Sequence, residues 1–265
     1  MFWEKMTSKE FAEACKASKG TCIIPFGVYE KHGTHLPLGT DVIVARKLAE
    51  EIARIEPVVI FPDYYFGQIN EARHVPGTIA IEPKLMYDLL ENICIEISRN
   101  GFKKIILLNS HGGNNHFVNY FMQNTLHKQK DYAVFGVSPS IAQEDREAIN
   151  SMLGTDDYGD HAGNMETSLV MSICLDTVKM DCIEKEGLVN YHRLDNLKNV
   201  YTGIWWYAQH PTHFAGDPSA ARPEVGRKAI ELIVGRLARV VKAVKEDDAT
   251  IKLQDEFFSK CQENS

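Results

Sequence analysis

The sequence lacks the features that mark membrane-spanning, exported and nucleic-acid-binding proteins. It contains no run of 18 or more apolar residues, and its first residues, MFWEKMTSKEF, have no basic segment followed by an apolar one. Its net charge of −7 is spread along the chain without a basic block. We therefore expect neither a membrane nor a nucleic acid as a partner, and we expect a cytoplasmic location.

The six cysteines lack any CxxC spacing. Several lie among apolar residues, as in NICIEI and VMSICL, which is typical of buried free thiols in a reducing compartment. Neither a disulfide framework nor a thiolate zinc site is predicted. No GxGxxG or Walker-type loop accompanies the HGGN segment at His111, so nucleotide binding has little support.

The sequence does contain a repeated pattern, in which a short apolar run is followed by a polar loop and then by an amphipathic segment. The 265 residues, 44% of them hydrophobic, predict one domain over 1–265. Apolar strands that alternate with helices indicate an α/β fold with a mainly parallel sheet sandwiched between helices. Strands are predicted at Thr21–Phe26, Pro57–Pro62, Lys104–Asn109 and Tyr132–Val137. Helices are predicted at Ser8–Ser18, Val42–Ile55, Pro83–Asn100, His116–Lys130, Met165–Leu175 and Pro223–Lys245.

Ligands of such sheets bind at the carboxyl ends of the strands, where the first polar loop, EKHGTHLPLGTD, lies. Glu30 and His32 are two residues apart, so an extended backbone turns both side chains to one side, and Asp41 could complete a metal-ligand set. Asp41 could instead be only an N-cap. Four metal-capable side chains in one loop exceed what capping needs, and His35 is expected to orient Asp41 or the loop backbone.

Two further loops carry similar chemistry. His111 directly follows a predicted strand, and Gly112 would let a ligand approach the backbone, although the segment could also be a phosphate-binding turn or a tight connection. His161 and Glu166 lie five residues apart at a loop-to-helix junction, where Glu166 could simply favour the helix dipole. A long loop system over Lys179–Arg222 is predicted to help wall a pocket.

The segment PFGVYEKHGTHLPLGTD resembles the P-x-G-x-x-E-x-H-G-x-H-L-P-x-x-T-D signature of the creatininase (creatinine amidohydrolase) family. The segments NSHGGN, VPGTIAI, HAGNMETS and GDPSAARPEVG are similar to other family segments. The resemblance implies a three-layer α/β/α fold and a binuclear metal centre that hydrolyses non-peptide C–N bonds, often in cyclic amides or formamides. It also implies a homo-oligomer, usually a hexamer, and two divalent metal ions per chain, with zinc expected first and manganese or iron as alternatives.

By position, the resemblance assigns Glu30 and His111 to one metal, His32 to the other, and Asp41 to a bridge between them. Glu166 is expected to complete the second site. In creatininase the residue two after the His111 equivalent is a Glu, whereas this chain has Gly113, which offers no side-chain ligand.

The resemblance makes His161 the histidine near the scissile bond, acting with Glu166 in catalysis. Creatininase has a tryptophan four residues before that histidine, where this chain has Asp157. The changes at Gly113 and Asp157 disfavour creatinine itself as the substrate. Substrate contacts are predicted for Arg73, His74, Gly112, Asp157 and Asp160.

The leading function is therefore metal-dependent hydrolysis of a C–N bond in a small polar molecule. One alternative keeps the binuclear metal centre but takes a sugar- or inositol-derived ring as the substrate. The polar residues Asp157 and Asp160 favour such a hydroxyl-rich substrate. A second alternative is a non-catalytic metal-dependent binder, supported by the missing carboxylate at Gly113. Trp205, Trp206 and His210 are predicted to form either pocket walls or a subunit interface.

Overall fold

A computed structural model of the protein describes residues 1–184 and 189–263. The sheet in these ranges has four strands, and every adjacent pair is parallel. From one edge to the other, the strands begin at Val59, Thr21, Lys104 and Ala133. In the central pair, Thr21 lies opposite Lys104 and Phe26 opposite Asn109, so these two strands end at the same level. The strands are β1 (Thr21–Phe26), β2 (Val59–Ile60), β3 (Lys104–Asn109) and β4 (Ala133–Val137).

The helices begin where the sequence supplies helix-start signals. Thr7 and Glu10 form a reciprocal capping box before the first helix. Glu82 accepts a hydrogen bond from Leu85 N at 2.7 Å, with Pro83 at the first helical position. The helices are α1 (Ser8–Ala17), α2 (Thr40–Ile55), α3 (Pro83–Arg99), α4 (Asn114–Asn124), α5 (Arg146–Leu153), α6 (Asn164–Cys174), α7 (Trp205–Gln209), α8 (Pro223–Glu246) and α9 (Thr250–Glu263).

Both faces of the sheet are covered by helices. Side chains alternate along β1, so Ile23 packs in a cluster with α2, α6 and α8, whereas Ile24 and Phe26 pack in a second cluster with α1, α3 and α4. β3 alternates in the same way, with Ile106 on the first face and Ile105 on the second. The predicted three-layer α/β architecture with a parallel sheet is confirmed.

The structure corrects several predicted element bounds. β2 is limited to Val59–Ile60, because it is an edge strand between Pro57 and Pro62, and proline cannot donate to the ladder. α4 begins at Asn114 and ends at Asn124, before a short 3₁₀ turn. α5 and α9 were not predicted as helices. The predicted 179–222 loop system contains α7, and its residues 185–188 lie outside the described ranges.

No helix within residues 1–184 and 189–263 is both long enough and apolar enough to cross a membrane.

Candidate metal centre

Three loops meet at the carboxyl ends of β1 and β3. Because these strands are parallel neighbours in register, the loop that follows Phe26 and the loop that follows Asn109 start side by side, and Ser110 N donates to Phe26 O at 2.8 Å. The first turn of α2 packs against Gly27, where an added Cβ would lie 2.7 Å from the Cβ of Asp41. Asp41 thus lies inside the first turn of α2, so it is not the N-cap of that helix.

Glu30, Asp41 and His111 form a first buried cluster. Glu30 Oε1 lies 2.8 Å from His111 Nδ1, and Asp41 Oδ2 lies 3.2 Å from the same nitrogen. The ligand atoms of the three residues lie within 4.8 Å of one another, which is close enough to share one ion. These side chains are the set that the resemblance assigned to one metal.

His32, His161 and Glu166 form a second cluster beside the first. His32 Nε2 lies 3.9 Å from Glu166 Oε2 and 3.2 Å from Asp41 Oδ1. Glu166 Oε2 also accepts a hydrogen bond from Ala162 N at 2.6 Å, which places the carboxylate at the entrance to α6. Asp41 therefore faces both clusters, one oxygen toward each, and this is the arrangement that a bridging carboxylate requires.

The donor set fits divalent cations. Among the described residues, Glu30 Oε1, Asp41 Oδ2 and His32 Nε2 are buried atoms whose polar neighbours are the other carboxylates and imidazoles of the two clusters, a costly state unless protons or an ion satisfy them. The outer nitrogen of each imidazole is anchored on a main-chain carbonyl: His111 Nε2 to Gln68 O at 3.0 Å and His32 Nδ1 to Glu30 O at 3.4 Å. Metal-binding histidines in proteins commonly donate their second ring N–H in this way.

The pKa values of these groups show that the cluster attracts positive charge. Burial alone would raise the pKa of Glu30, but the charge of His111 and hydrogen bonds from neighbouring imidazoles hold it well below its usual range. Burial alone would lower the pKa of His32, but Asp41 and the other nearby carboxylates raise it to about 10. Carboxylates outweigh burial in the same way at His111 and raise its pKa well above the ordinary value. A divalent cation would supply the charge that these protons supply.

His161 lies over both clusters. Its ring is tilted by 36° against that of His32, with centroids 4.3 Å apart, and meets the ring of Trp206 edge-on at 5.8 Å. Nε2 lies 2.7 Å from Lys31 O, so a neutral His161 donates from Nε2 and leaves Nδ1 as the acceptor nitrogen. An antiparallel bridge between His161 and Ala215 holds this segment against the loop that precedes α8.

A cavity of about 950 Å³ opens onto the centre. Four of the five predicted substrate contacts line it: Arg73, His74, Gly112 and Asp160. Asp157 lies outside the residues that line this cavity, and its contact with a substrate stays a prediction. The Asp157 carboxylate instead accepts a hydrogen bond from Gly159 N at 2.9 Å, so it stabilises the turn that leads to His161.

Glu71 and His213 lie at the site but were not predicted from the sequence. A Cβ at Gly113 would lie 2.5 Å from His111 Nε2 and 2.9 Å from Glu71 Oε1, so Glu71 takes the space that a side chain at 113 would need. Glu71 lines the cavity, and its Oε2 accepts from Gln68 Nε2 at 2.9 Å. His213 lies 2.5 Å from Glu30 Oε2, although 183 residues separate the two in sequence. Only its place in a loop rich in His and Pro, PTHFAGDP, could have drawn attention to His213.

His35 does not belong to either cluster within the described residues. Its Nε2 lies 2.9 Å from Thr167 Oγ1, so it links the first loop to α6 and does not orient Asp41. Burial, followed by the charge of His32, lowers the pKa of His35 to about 4.

Trp205 and Trp206 both line the cavity, as the pocket-wall prediction proposed, whereas His210 packs behind the ring of Trp206 at a centroid distance of 4.8 Å.

The site defines a class of protein: an α/β-fold protein whose carboxylate and imidazole side chains cluster at the carboxyl edge of a parallel sheet, where they could hold metal ions. The profile of the creatininase family, described as creatinine amidohydrolase, matches residues 4–241. The chain therefore belongs to the creatininase family.

Characterised relatives in this family differ in what they act on. A creatinine amidohydrolase from Pseudomonas putida is 23% identical over 194 residues, which cover 68% of this chain and 75% of the relative. A 3-dehydro-scyllo-inosose hydrolase from Thermotoga maritima is 23% identical over 270 residues and covers 93% of this chain and 84% of its own length. A mycofactocin precursor peptide peptidase from Mycobacterium ulcerans is 27% identical over 233 residues, with 82% and 84% covered.

Solved creatininase structures have the same fold. A manganese creatininase superposes with a TM-score of 0.78 at 20% identity and covers 93% of this chain and 99% of its own. A mutant creatininase of Zn–Zn type gives the same TM-score and identity, with 93% and 98% covered.

Proposed function

We propose that the protein is a metal-dependent hydrolase that cleaves a C–N bond in a small cyclic amide or formamide at a binuclear centre. The observation that carries this proposal is the position of Asp41, whose two carboxylate oxygens each lie 3.2 Å from a different imidazole. One metal would be held by Glu30, Asp41 and His111. The other would be held by Asp41, His32 and Glu166, the carboxylate at the start of α6.

Two divalent cations bound here would polarise a substrate carbonyl and acidify a water molecule. His161 lies beside both clusters and in the cavity wall, which supports a role in which it takes the proton of the attacking water and delivers it to the leaving nitrogen. The carbonyl of Lys31 fixes the orientation of the His161 ring for this transfer. Glu166 lies next to His161 in the second cluster and stabilises the charge on the imidazole during the transfer.

Zinc is the first expectation for both positions, and manganese or iron would suit the same nitrogen and oxygen donors. The Zn–Zn and manganese forms of the structurally similar creatininases support this range of metals. Two ions per chain is the stoichiometry that the two clusters support.

A second candidate function is hydrolysis of a sugar- or inositol-derived ring at the same centre. The specific observation in its favour is the polar cavity wall, where the carboxylates of Glu71 and Asp160 and the amides of Gln68 and Asn115 can pair with hydroxyl groups. The inosose hydrolase of Thermotoga maritima, which aligns with 93% of this chain, also supports this candidate.

The test is a substrate panel with the metal-reconstituted protein. The panel contains cyclic amides, formamides, inositol-derived ring ketones and short peptides, because one relative is named a peptidase. The His161→Ala variant is the control, since it removes the proton carrier but none of the metal ligands proposed above. Turnover of an amide by the wild type and its loss in the variant support the leading proposal. Turnover of ring ketones alone supports the second candidate, and metal binding without any turnover supports a non-catalytic binder.

We also propose a homo-oligomer, a hexamer by the family resemblance. Exposed apolar side chains at the cavity rim, such as Tyr201 and Ile204, would be covered in such an assembly. Light scattering coupled to size-exclusion chromatography tests this: a mass of six chains supports the hexamer, and a monomer mass contradicts it.

A further inference from the structure

Two hydrogen bonds connect the cavity wall to Glu30. The Trp206 indole donates from Nε1 to His213 Nδ1 at 2.8 Å, and His213 Nε2 lies 2.5 Å from Glu30 Oε2. An indole N–H can only donate, so His213 Nδ1 must be the acceptor and Nε2 must carry the proton of the neutral ring. That tautomer makes His213 a hydrogen-bond donor to Glu30.

This tautomer also decides between two roles for His213. Its position near Glu30 and His161 would by distance alone allow a further metal site. A nitrogen that carries a proton and donates it to a carboxylate cannot bind a metal through the same lone pair, and Nδ1 is occupied by the indole. His213 therefore acts on Glu30 and is not itself a ligand.

The hydrogen bond from His213 fixes Oε2 of the Glu30 carboxylate and thereby directs Oε1 toward the first cluster. Oε2 is held by His213, whereas Oε1 faces the first cluster and lies 2.8 Å from His111 Nδ1. Glu30 and His213 are 1% and 2% exposed, so water does not compete with this charge-assisted bond. The orientation of Oε1 toward the first cluster thus depends on the donor at His213.

We propose that His213 is a positioning residue that holds Glu30 in its metal-binding orientation, and that Trp206 fixes the tautomer His213 needs. The inference rests on the proposed function in one respect, because it takes Glu30 to be a metal ligand. Residues that orient metal ligands typically contribute about 10- to 100-fold to metal affinity. We expect a loss of that size when the donor to Glu30 is removed.

Two substitutions at His213 separate the hydrogen bond from the rest of the side chain. In His213→Gln the amide nitrogen lies as many bonds from Cα as Nε2 does, so a donor to Glu30 is kept. In His213→Asn the amide stops at the level of Nδ1 and the donor is lost, while Asn tolerates the positive φ of 54° at this position. His210→Asn is the matched control, because His210 packs on the same Trp206 ring and, within the described residues, makes no hydrogen bond or ion pair with Glu30.

The measurement is the dissociation constant for zinc and for manganese, determined on metal-free full-length protein by competition with a chromogenic chelator. We expect His213→Asn to weaken binding at the site formed by Glu30, Asp41 and His111 by about 10- to 100-fold. His213→Gln should recover most of that loss, and His210→Asn should bind as the wild type does. Trp206→Phe should weaken metal binding when it is the only substitution. Combined with His213→Asn, it should cause no further loss of affinity, because the indole acts through His213.

Thermal unfolding of the metal-free variants distinguishes positioning from a purely structural role. A lowered Tm of metal-free His213→Asn together with wild-type metal affinity would overturn the inference and leave the proposed function standing. A wild-type protein that binds neither metal would overturn both. Weakened affinity in His213→Asn with recovery in His213→Gln supports the inference.

Discussion

Filling the metal centre should release about two protons per chain at neutral pH. In the metal-free protein, neighbouring carboxylates raise the pKa of His32 to about 10 and that of His111 well above its usual value, so both rings are protonated near pH 7.5. An imidazole that binds a metal must be neutral at the ligating nitrogen. The outer nitrogens stay protonated because both donate to main-chain carbonyls, so each ring loses one proton.

The magnitude follows from that count. Each displaced proton raises the overall association constant about tenfold per pH unit, so two protons give about 100-fold, or about 2.7 kcal/mol per pH unit. Affinity therefore rises with pH as long as both rings are protonated in the free protein. The slope decreases once the pH approaches about 10, where His32 loses its proton without metal.

Isothermal titration calorimetry at pH 7.5 in buffers of different ionisation enthalpy measures the number of protons directly. We expect a slope of about two protons per chain from the imidazoles when both sites fill, to which a metal-bound water that ionises would add. The control is His111→Asn, whose neutral amide can take the place of Nδ1 and should release one proton fewer. A binding enthalpy independent of the buffer, meaning no proton release, would refute the reasoning that carboxylates keep these rings charged.

Three further predictions follow from the geometry. Asp41→Ala should lose both metals, because its carboxylate faces both clusters. His161→Ala should keep the metals and lose turnover. Metal analysis and the activity assay measure these losses, and full metal content in Asp41→Ala would contradict the bridging role. Gly226→Ala should destabilise the fold by about 1–3 kcal/mol, because its Cβ would lie 1.9 Å from Ser168 O. At Gly235 on the same helix, an added Cβ would meet no described atom within 4 Å apart from the adjacent backbone of that helix. Gly235→Ala should therefore stabilise by about 0.5–1 kcal/mol, and urea unfolding of both variants measures the difference. The metal-free protein should lose stability as pH rises from about 6.5 to about 10, because the raised pKa of His32 means that the folded state binds more protons there than the unfolded state. Chelator-treated protein that becomes more stable over that range would contradict this sign.

The two central strands and the first polar loop, EKHGTHLPLGTD, could be predicted from the local sequence pattern. β1 and β3 have the predicted bounds because each is an apolar run that ends at a turn signal, and both are buried on two faces. The carboxyl ends of parallel neighbours meet, which is why Glu30 and His111 come together from loops about 80 residues apart in sequence.

The rest depended on contacts that local pattern does not encode. His213 reaches Glu30 across 183 residues of sequence from a loop without periodicity. Glu71 takes the space beside Gly113 because the 67–74 loop packs on the His111 loop, where Gln68 N donates to Asn114 Oδ1 at 2.7 Å. Asp157 was expected to contact the substrate because of its position before His161, and local pattern gave no sign that its carboxylate accepts a hydrogen bond from Gly159 N.

The central claim is that this chain holds two metal ions bridged by Asp41, and metal content per chain tests it most directly. Elemental mass spectrometry is applied to protein purified without chelator or nickel affinity resin, before and after metal is resupplied. We predict two equivalents of zinc, manganese or iron per chain. One equivalent or none after resupply would contradict the account, because it would mean that the position lost at Gly113 is not replaced by Glu166 and that the second cluster does not bind a metal.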